Sequence, residues 1–270
     1  MKVYAIAQKY VDDNCGLKAV SLKQLYDLGI NVPPFFVVPN DCFLEFRRQN
    51  SLMNPLLFFS SDTFHDVLSM LPENLSVEMV TDLPEDKYMI RSSSTTCRKE
   101  PPQFSSMISG AFDSYYSHNI DNIEKKILDV WKSLYSFKAY QQCKLVSEEP
   151  IVSGMGVVIQ KYISPEISGI AHTNERYVDV NWVNGHLSSI VSGKEKGYSV
   201  RVYVSKDHDY IVRGLEKSIL ELKNHSYFQL IKELYDICIK IKDYIETDQE
   251  IEWIYDGSKL WFVQTQNLIS

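Results

Sequence analysis

The C-terminal segment constrains the fold of this chain most, because it has the pattern of a β-hairpin. Two strand-like runs lie on either side of an Asp256-Gly257 turn signal, namely Glu250–Tyr255 and Leu260–Thr265. A three-residue loop at 257–259 places Asp256 opposite Leu260 and, counting back, Glu252 opposite Gln264. The hairpin therefore presents one carboxylate beside one carboxamide on a rigid sheet. Such oxygen groups suit magnesium, a hard cation that keeps substrate phosphates among its ligands.

Upstream of the hairpin, strand-like and helix-like segments alternate, which predicts an α/β (α+β) fold. Helical patterns cover Ala19–Leu28, the segment from Asn40 to Phe46, Asn122–Lys144 and Tyr227–Glu246, and a helix pair is expected within Asn54–Glu85. Strands are expected at Phe35–Val38, Val157–Tyr162, Val178–Trp182 and Leu187–Val191. The polar, proline-containing segment Cys97–Ser109 indicates a loop.

Composition and charge exclude several classes of protein. The chain has 270 residues, 44% hydrophobic and 23% charged, as is ordinary for a globular protein. A net charge of −7 argues against a nucleic-acid-binding surface. No apolar run approaches the roughly 20 residues that span a bilayer, and the N-terminus lacks a signal-peptide pattern. The five cysteines are scattered without metal-ligand spacing. We therefore expect a cytoplasmic location, with neither nucleic acid nor membrane as a partner.

Short motifs in a fixed order carry a family resemblance. They are Gly16-Leu-Lys-Ala-Val-Ser-Leu22, Val32-Pro-Pro-Phe-Phe-Val-Val38, Ile90-Arg-Ser-Ser-Ser-Thr-Thr96, Ser109-Gly-Ala-Phe-Asp-Ser-Tyr115, Gly156-Val-Val-Ile-Gln-Lys-Tyr-Ile163 and Ser168-Gly-Ile-Ala-His-Thr173. Together with the hairpin, they resemble the N-terminal ATP-grasp domain of phosphoenolpyruvate synthase, pyruvate phosphate dikinase, rifampin phosphotransferase and glutamine kinase-like enzymes. The resemblance spans about residues 14 to 266.

The resemblance implies an ATP-grasp fold in which two lobes clamp ATP and Mg²⁺. Residues 1–150 form the N-terminal α/β lobe with the lysine and arginine phosphate motifs. Residues 151–270 form the C-terminal lobe with the Glu/Gln metal hairpin. The loop over Cys97–Ser109 is a candidate lid over the phosphates.

The resemblance also assigns roles to individual residues. The catalytic residues are Lys18, Arg91 and Glu252, and the metal ligands are Glu252 and Gln264. The nucleotide-binding residues are Lys18, Arg91, Gly110, Ser114, Gln160, Glu252 and Gln264. The residue types agree with these roles, since lysine and arginine bind phosphate oxygens, glycine allows close backbone approach and serine donates from its hydroxyl. Asp113 either reaches a metal or caps a turn.

Several positions depart from the family pattern. Leu17 replaces the second glycine of the Gly-Gly-Lys turn, and Cys97-Arg98 replaces an acidic pair. Gln266 replaces an arginine that adds positive charge near the terminal phosphates in relatives. His172 replaces a residue that is usually apolar, and a packed core histidine is the expected reason. None of the six histidines lies in a carrier-type phosphorylation motif.

The resemblance leaves three functions open. The chain is expected to pass a phosphoryl group from ATP to a histidine on a carrier domain or subunit in trans. It is alternatively a self-contained kinase or ligase for a small acceptor, bound near Lys194 and Arg201. The third reading is a degenerate nucleotide-binding regulatory module without catalysis. The retained Lys18, Arg91 and Glu252 favour an ATP-dependent phosphotransferase of kinase or dikinase type.

Overall fold

The computed structural model describes residues 1–52, 71–96, 110–146, 152–186, 197–224 and 227–268. The chain forms two compact units: Met1–Lys23 with Pro34–Tyr162, and Gln24–Pro33 with Ile163–Ser270. Strand β7 (Val152–Lys161) pairs with two strands of the first unit, so the units divide after Tyr162. This point lies later in the chain than the lobe boundary expected at residue 150.

The first unit is built on a five-stranded antiparallel sheet. The elements are β1 (Lys2–Val3), β2 (Ile6–Ala7), α1 (Leu17–Asp27), β3 (Phe35–Val38), α2 (Asn40–Gln49), β4 (Glu78–Met79), β5 (Tyr88–Thr96), β6 (Ser114–Ser117), α3 (Ile123–Ser133), α4 (Phe137–Val146) and β7. The strand order in the sheet is β2-β3-β7-β5-β6, and β1 and β4 form a separate parallel pair. Helix α1 begins in this unit and ends in the second.

The two faces of this sheet have different chemistry. Side chains alternate along a strand, so Ile90 and Ile159 lie on one face of the β5–β7 pair and Arg91 and Gln160 do not. Ile90 and Ile159 join the hydrophobic core around Trp131 of α3. The opposite face is therefore the one on which the polar motif residues of β5 and β7 lie.

The second unit is built on a six-stranded antiparallel sheet. Its elements are β8 (Ile167–Thr173), β9 (Val178–Asn184), β10 (Tyr198–Val204), β11 (Tyr210–Gly214), α5 (Glu216–Asn224), α6 (Phe228–Ile245), β12 (Gln249–Tyr255) and β13 (Leu260–Asn267). The strand order is β11-β10-β9-β8-β12-β13. Helix α6 contacts β8, β9 and β12. Its buried residues Leu234, Cys238 and Ile241 give it an apolar side for this contact.

The structure confirms the mixed α and β architecture and corrects one element. The single helix predicted over Asn122–Lys144 is two helices, α3 and α4. The break lies at Leu134–Ser136, where the Ser136 hydroxyl accepts the N–H of Ala139 at 3.2 Å and caps α4. Within the predicted helix pair at 54–85, the described part (71–85) has β4 and no helix. The strand predicted at 187–191 lies outside the described residues.

The C-terminal hairpin has the predicted Glu252–Gln264 pair, but it reaches that register differently. Tyr255, not Asp256, pairs with Leu260, so the loop is one residue longer than predicted. A β-bulge between Glu252 and Trp253 compensates, because it adds a residue to β13 and returns Glu252 to the position opposite Gln264. The two deviations cancel, and the carboxylate and carboxamide lie side by side.

The hairpin loop is held by Asp256. Its Oδ1 accepts the N–H groups of Ser258 and Lys259 at 2.9 and 2.7 Å, and its Oδ2 accepts Trp261 Nε1–H at 2.8 Å. Desolvation raises the pKa of Asp256, but hydrogen bonds from Trp261, Ser258 and Lys259 outweigh it and hold the pKa at about 2.

We expect Asp256→Asn to lower the free energy of unfolding by about 1 kcal/mol at pH 7, after allowance for solvent screening. The folded-state pKa is below the unfolded value, so this contribution is complete above about pH 4 and is lost as the pH falls toward 2. Denaturant titrations of Asp256→Asn and wild type at several pH values measure it. The exposed turn variant Asp207→Asn is the control. A difference that does not change with pH would contradict the prediction.

Candidate functional site

The polar face of the first unit centres on Arg91 of β5 and Gln160 of β7. Arg91 is 9% exposed, and its Nη1 donates to Gln160 Oε1 at 3.2 Å. Gln160 is 2% exposed, and its Nε2 has no hydrogen-bond partner within the part of the chain that the structure describes. A buried N–H group without an acceptor is costly. The pair therefore combines a buried positive charge with a donor that suits a bound acceptor.

The turn before α1 lies directly on this sheet. Gly16 has a φ of +83°, and a Cβ atom on it would be 2.1 Å from the carbonyl oxygen of Ser93 on β5. A Cβ on Gly156 of β7 would be 2.4 Å from the carbonyl oxygen of Cys15. Both positions therefore require glycine, and the backbone from Cys15 to Gly16 is in contact with two strands.

Ser93 also caps helix α1 from a different element. A helix is usually capped by the side chain of the residue that precedes it, but Gly16 has no side chain. The Ser93 hydroxyl instead accepts the N–H of Ala19 at 3.0 Å in a buried contact. This contact anchors the first turn of α1, which carries Lys18, to the strand that carries Arg91. The end of a helix with its unbonded N–H groups favours anions.

The remaining motif residues of the first unit lie around β6. Ser114 pairs with Arg91 across β5 and β6, so their side chains share a face of the sheet. Gly110 has a φ of +78°, and a Cβ built on it has no atom within 4 Å from the described part of the chain, its two neighbours aside. Asp113 forms an ion pair with Lys138 at 3.6 Å and accepts the Tyr115 hydroxyl at 3.3 Å. The candidate lid at 97–109 lies outside the described residues.

Cys15 directly precedes the Gly16 turn, and its surroundings make it unreactive. It is fully buried, and desolvation raises its pKa to about 11, although a backbone hydrogen bond at Asp12 opposes the shift. A thiol with such a pKa is protonated at neutral pH, and the thiolate is the nucleophile. Cys15 therefore has a packing role beneath the turn.

In the second unit, Glu252 and Gln264 form a cross-strand pair. Gln264 is 6% exposed and Glu252 is partly buried. Among the residues that the structure describes, no group of three or more His, Cys, Asp or Glu side chains has metal-site geometry. A two-oxygen pair fits magnesium, which takes few protein ligands and keeps water and phosphate oxygens. It does not fit a cation that needs a full cage of protein ligands.

A second row of polar side chains adjoins this pair on the same face. Glu250 pairs with Gln266 on β13 and with His172 on β8. Its Oε1 accepts Gln266 Nε2–H at 2.6 Å, and its Oε2 lies 3.0 Å from His172 Nε2. The contact with His172 lowers the pKa of Glu250, although burial opposes the shift. His172 and Gln266, which both depart from the family pattern, therefore both contact the Glu250 carboxylate.

The structure corrects the expectation for His172 and shows the contacts of Arg201. The side chain of His172 is 37% exposed and bound to Glu250, so it is not a packed core histidine. Arg201 donates to both oxygens of Asp179 at 2.6 and 2.7 Å and stacks on Tyr177. This fork is already occupied, and the structure gives no support to Arg201 as an anchor for an acceptor. Lys194 lies outside the described residues.

Sequence reasoning missed Ser93, Gly156 and Glu250. Ser93 and Gly156 carry structural roles that appear only when β5, β7 and α1 are placed together. Glu250 had a visible signal, because residues two apart on a strand share a face and Glu250 precedes Glu252 by two. The same spacing relates Gln264 to Gln266.

A mixed α and β domain with a buried arginine and a helix N-terminus over one sheet has the features of a nucleotide-binding domain. The chain belongs to the family described as pyruvate phosphate dikinase, AMP/ATP-binding domain, whose sequence profile matches residues 12–269. This match confirms the resemblance drawn from the motifs. The residues that contact the nucleotide stay predictions.

A curated relative agrees with the family. The chain is 20% identical over 302 aligned positions to a probable phosphoenolpyruvate synthase from Methanocaldococcus jannaschii. The alignment covers 94% of this chain and 25% of the relative, so the chain spans about a quarter of that protein's length. In the described ranges, no helix has the length and apolar character to cross a membrane.

Proposed function

We propose that this domain binds ATP with Mg²⁺ and transfers a phosphoryl group from it. The acceptor is a histidine on a carrier domain or subunit in trans, or a small molecule. The observation that carries the proposal is the Arg91–Gln160 pair, with its unpartnered Gln160 Nε2, on the sheet face where α1 begins. Membership of the AMP/ATP-binding family supports the choice of ATP.

The first unit supplies positive charge for the phosphates. Phosphoryl transfer depends on positioning and on stabilising charge on the phosphate oxygens, and little covalent chemistry is required from the protein. Arg91 offers a planar fork that matches phosphate oxygens. Lys18 adds a point charge in the first turn of α1. The Ser93 cap and the Gly16 turn hold that helix end in place, and Gln160 directs an N–H toward the adenine side.

The second unit supplies two metal-binding side chains, Glu252 and Gln264, which we call the metal pair. In this proposal Glu252 and Gln264 would hold the divalent cation, which would supply positive charge beside the phosphates when bound. Neither side chain needs to move a proton in this role. Glu252 contributes a formal charge, and Gln264 contributes a neutral oxygen. The pair therefore binds the cation without cancelling the charge that holds it to the phosphates.

The acceptor is the less constrained part of the proposal. The relative is named as a synthase of phosphoenolpyruvate, but the chain aligns with only a quarter of it. Arg201 is occupied by Asp179, which removes one anchor expected for a small acceptor. That observation favours an acceptor carried by another domain or subunit.

Glu252→Gln is expected to weaken Mg²⁺-dependent ATP binding by about tenfold to a hundredfold, because the cation loses its charged ligand. ATP binding in EDTA should change little. Calorimetry with and without Mg²⁺ measures both affinities. Glu233→Gln is the matched control, since Glu233 is exposed on α6, the helix that contacts the sheet. Nucleotide products formed by the wild type over hours then identify the transferred phosphate.

The outcomes separate the candidate functions. AMP as product, with a labelled histidine in an added carrier domain, supports dikinase-type transfer. ADP with a phosphorylated small molecule supports a self-contained kinase. Magnesium-dependent binding without turnover identifies a regulatory nucleotide-binding module. No ATP binding at millimolar concentration would refute the proposal.

A further inference from the structure

The side chains next to the metal pair form a chain of hydrogen bonds across three strands. Gln264 Nε2 donates to Gln266 Oε1 at 3.4 Å, and Gln266 Nε2 donates to Glu250 Oε1 at 2.6 Å. Glu250 Oε2 lies 3.0 Å from His172 Nε2. This series of hydrogen bonds therefore starts at Gln264 of the metal pair on β13, crosses β12 and ends on β8.

Glu250 sets the donor-to-acceptor direction of these hydrogen bonds. A carboxylate accepts hydrogen bonds and donates none, whereas a glutamine side chain has one donating end and one accepting end. Gln266 must therefore turn its NH₂ group to Glu250. Its carbonyl oxygen then faces Gln264, and Gln264 turns its own NH₂ group toward Gln266. The Oε1 atom of Gln264 is consequently the end that is directed away from Gln266.

His172 completes the anchor. Each oxygen of Glu250 has a partner, one from Gln266 and the other from His172. These two contacts hold the carboxylate from both sides, on strands that flank β12 in the sheet. A carboxylate held in this way is fixed in rotation, and it passes that constraint to Gln266.

We infer that Glu250, Gln266 and His172 are positioning residues that orient the Gln264 carboxamide so that it presents oxygen, not nitrogen, to the divalent cation beside Glu252. This inference rests on the proposed function, because it gives the Glu252–Gln264 pair its metal role. It also gives a reason for the partly exposed histidine on β8. Only an oxygen end serves as a ligand for magnesium, so an inverted amide at Gln264 removes a ligand without removing a residue.

The test exchanges the two residues at positions 250 and 266. Glu250→Gln replaces the carboxylate with an amide that has a donating and an accepting end, so the direction of the chain is lost. The double variant Glu250→Gln/Gln266→Glu places the carboxylate on β13. There it accepts from Gln264 Nε2 and from the amide introduced at position 250. His172 then donates to the oxygen of that introduced amide, so the orientation of Gln264 is restored.

Mn²⁺ binding in the presence of ATP, measured by electron paramagnetic resonance, reports on the metal pair directly. Glu250→Gln is expected to weaken Mn²⁺ binding about tenfold, and the double variant is expected to return it to within about threefold of wild type. A purely structural role would not predict this recovery. Thermal unfolding of each variant shows which proteins are folded. If Glu250→Gln does not fold, Gln266→Leu replaces it in the test. Gln266→Leu removes the hydrogen bonds of Gln266 to Gln264 and Glu250 and keeps the Glu250–His172 contact.

Three results overturn the inference. The first is wild-type Mn²⁺ affinity in folded Glu250→Gln or Gln266→Leu. The second is a folded double variant that binds Mn²⁺ no better than Glu250→Gln. The third is a wild type whose Mn²⁺ binding is unaffected by Glu252→Gln, and this one refutes the metal role of the pair as well. The first two leave the proposed function intact, so the two failures are distinguishable.

Discussion

Gly16→Ala is expected to weaken ATP binding by at least about a hundredfold and to lower the free energy of unfolding by about 2–4 kcal/mol. The added Cβ would lie 2.1 Å from the Ser93 carbonyl oxygen, at a backbone φ of +83°. The nearest atoms belong to the backbone of β5, which is paired with β7 at Ser93, so we expect the turn to move and not the strand. Movement of the turn separates Ala19 from the Ser93 hydroxyl and displaces Lys18. Calorimetry and denaturant titration measure the two effects.

Gly185→Ala is the matched control for this prediction. Gly185 has a φ of +75°, close to that of Gly16, but among the described residues beyond its chain neighbours no atom lies within 4 Å of a Cβ built on it. It should cost about 1–2 kcal/mol, the strain of a left-handed residue alone, and leave ATP binding unchanged. Gly156→Ala has ordinary φ and a 2.4 Å approach to Cys15, so it should reproduce the binding loss. Equal effects of Gly16→Ala and Gly185→Ala would contradict the steric explanation.

The fold was predictable where a periodic pattern ran without interruption. The strand at Phe35–Val38 and the hairpin strands are present because alternation and turn residues act locally. The helix predicted over Asn122–Lys144 was wrong in its continuity, because apolar spacing continues through the break and does not show the Ser136 cap. The lobe boundary expected at residue 150 stays a prediction, and local pattern does not show the strand pairing that assigns β7 to the first compact unit.

The Glu252–Gln264 pair was predicted correctly from a loop length that was wrong. The loop has an extra residue and the strand has a bulge, and neither is visible in the alternation of side chains. A single shift would have turned Gln264 to the opposite face. The Arg91–Gln160 contact also could not be predicted from local pattern, because the two residues are 69 positions apart. Family resemblance supplied both residues, and the antiparallel pairing of β5 with β7 brings them together.

Arg91→Met is expected to weaken ATP binding by about a hundredfold to a thousandfold, which is the largest effect on binding that we predict for a side-chain deletion. Arg91 is buried, and a buried fork makes charge-assisted hydrogen bonds to phosphate worth about 1.5–3 kcal/mol each. The free energy of unfolding should change by less than about 1–2 kcal/mol, because replacing a buried charge with an apolar side chain also removes its desolvation cost. A structural ion pair would give the opposite result, with a large loss of stability and little loss of binding.

Two further variants separate charge from geometry. Arg91→Lys keeps the positive charge but loses the planar fork and its contact with Gln160, so its ATP affinity should lie between those of wild type and Arg91→Met. Arg48→Met removes a cation from α2 whose side chain is 74% exposed and paired with Glu45, and it should leave ATP binding unchanged. If Arg48→Met and Arg91→Met weaken binding equally, net charge explains the effect and Arg91 has no specific role. If only the Arg91 variants weaken ATP binding, and Arg91→Lys weakens it less than Arg91→Met, the guanidinium itself binds the phosphates.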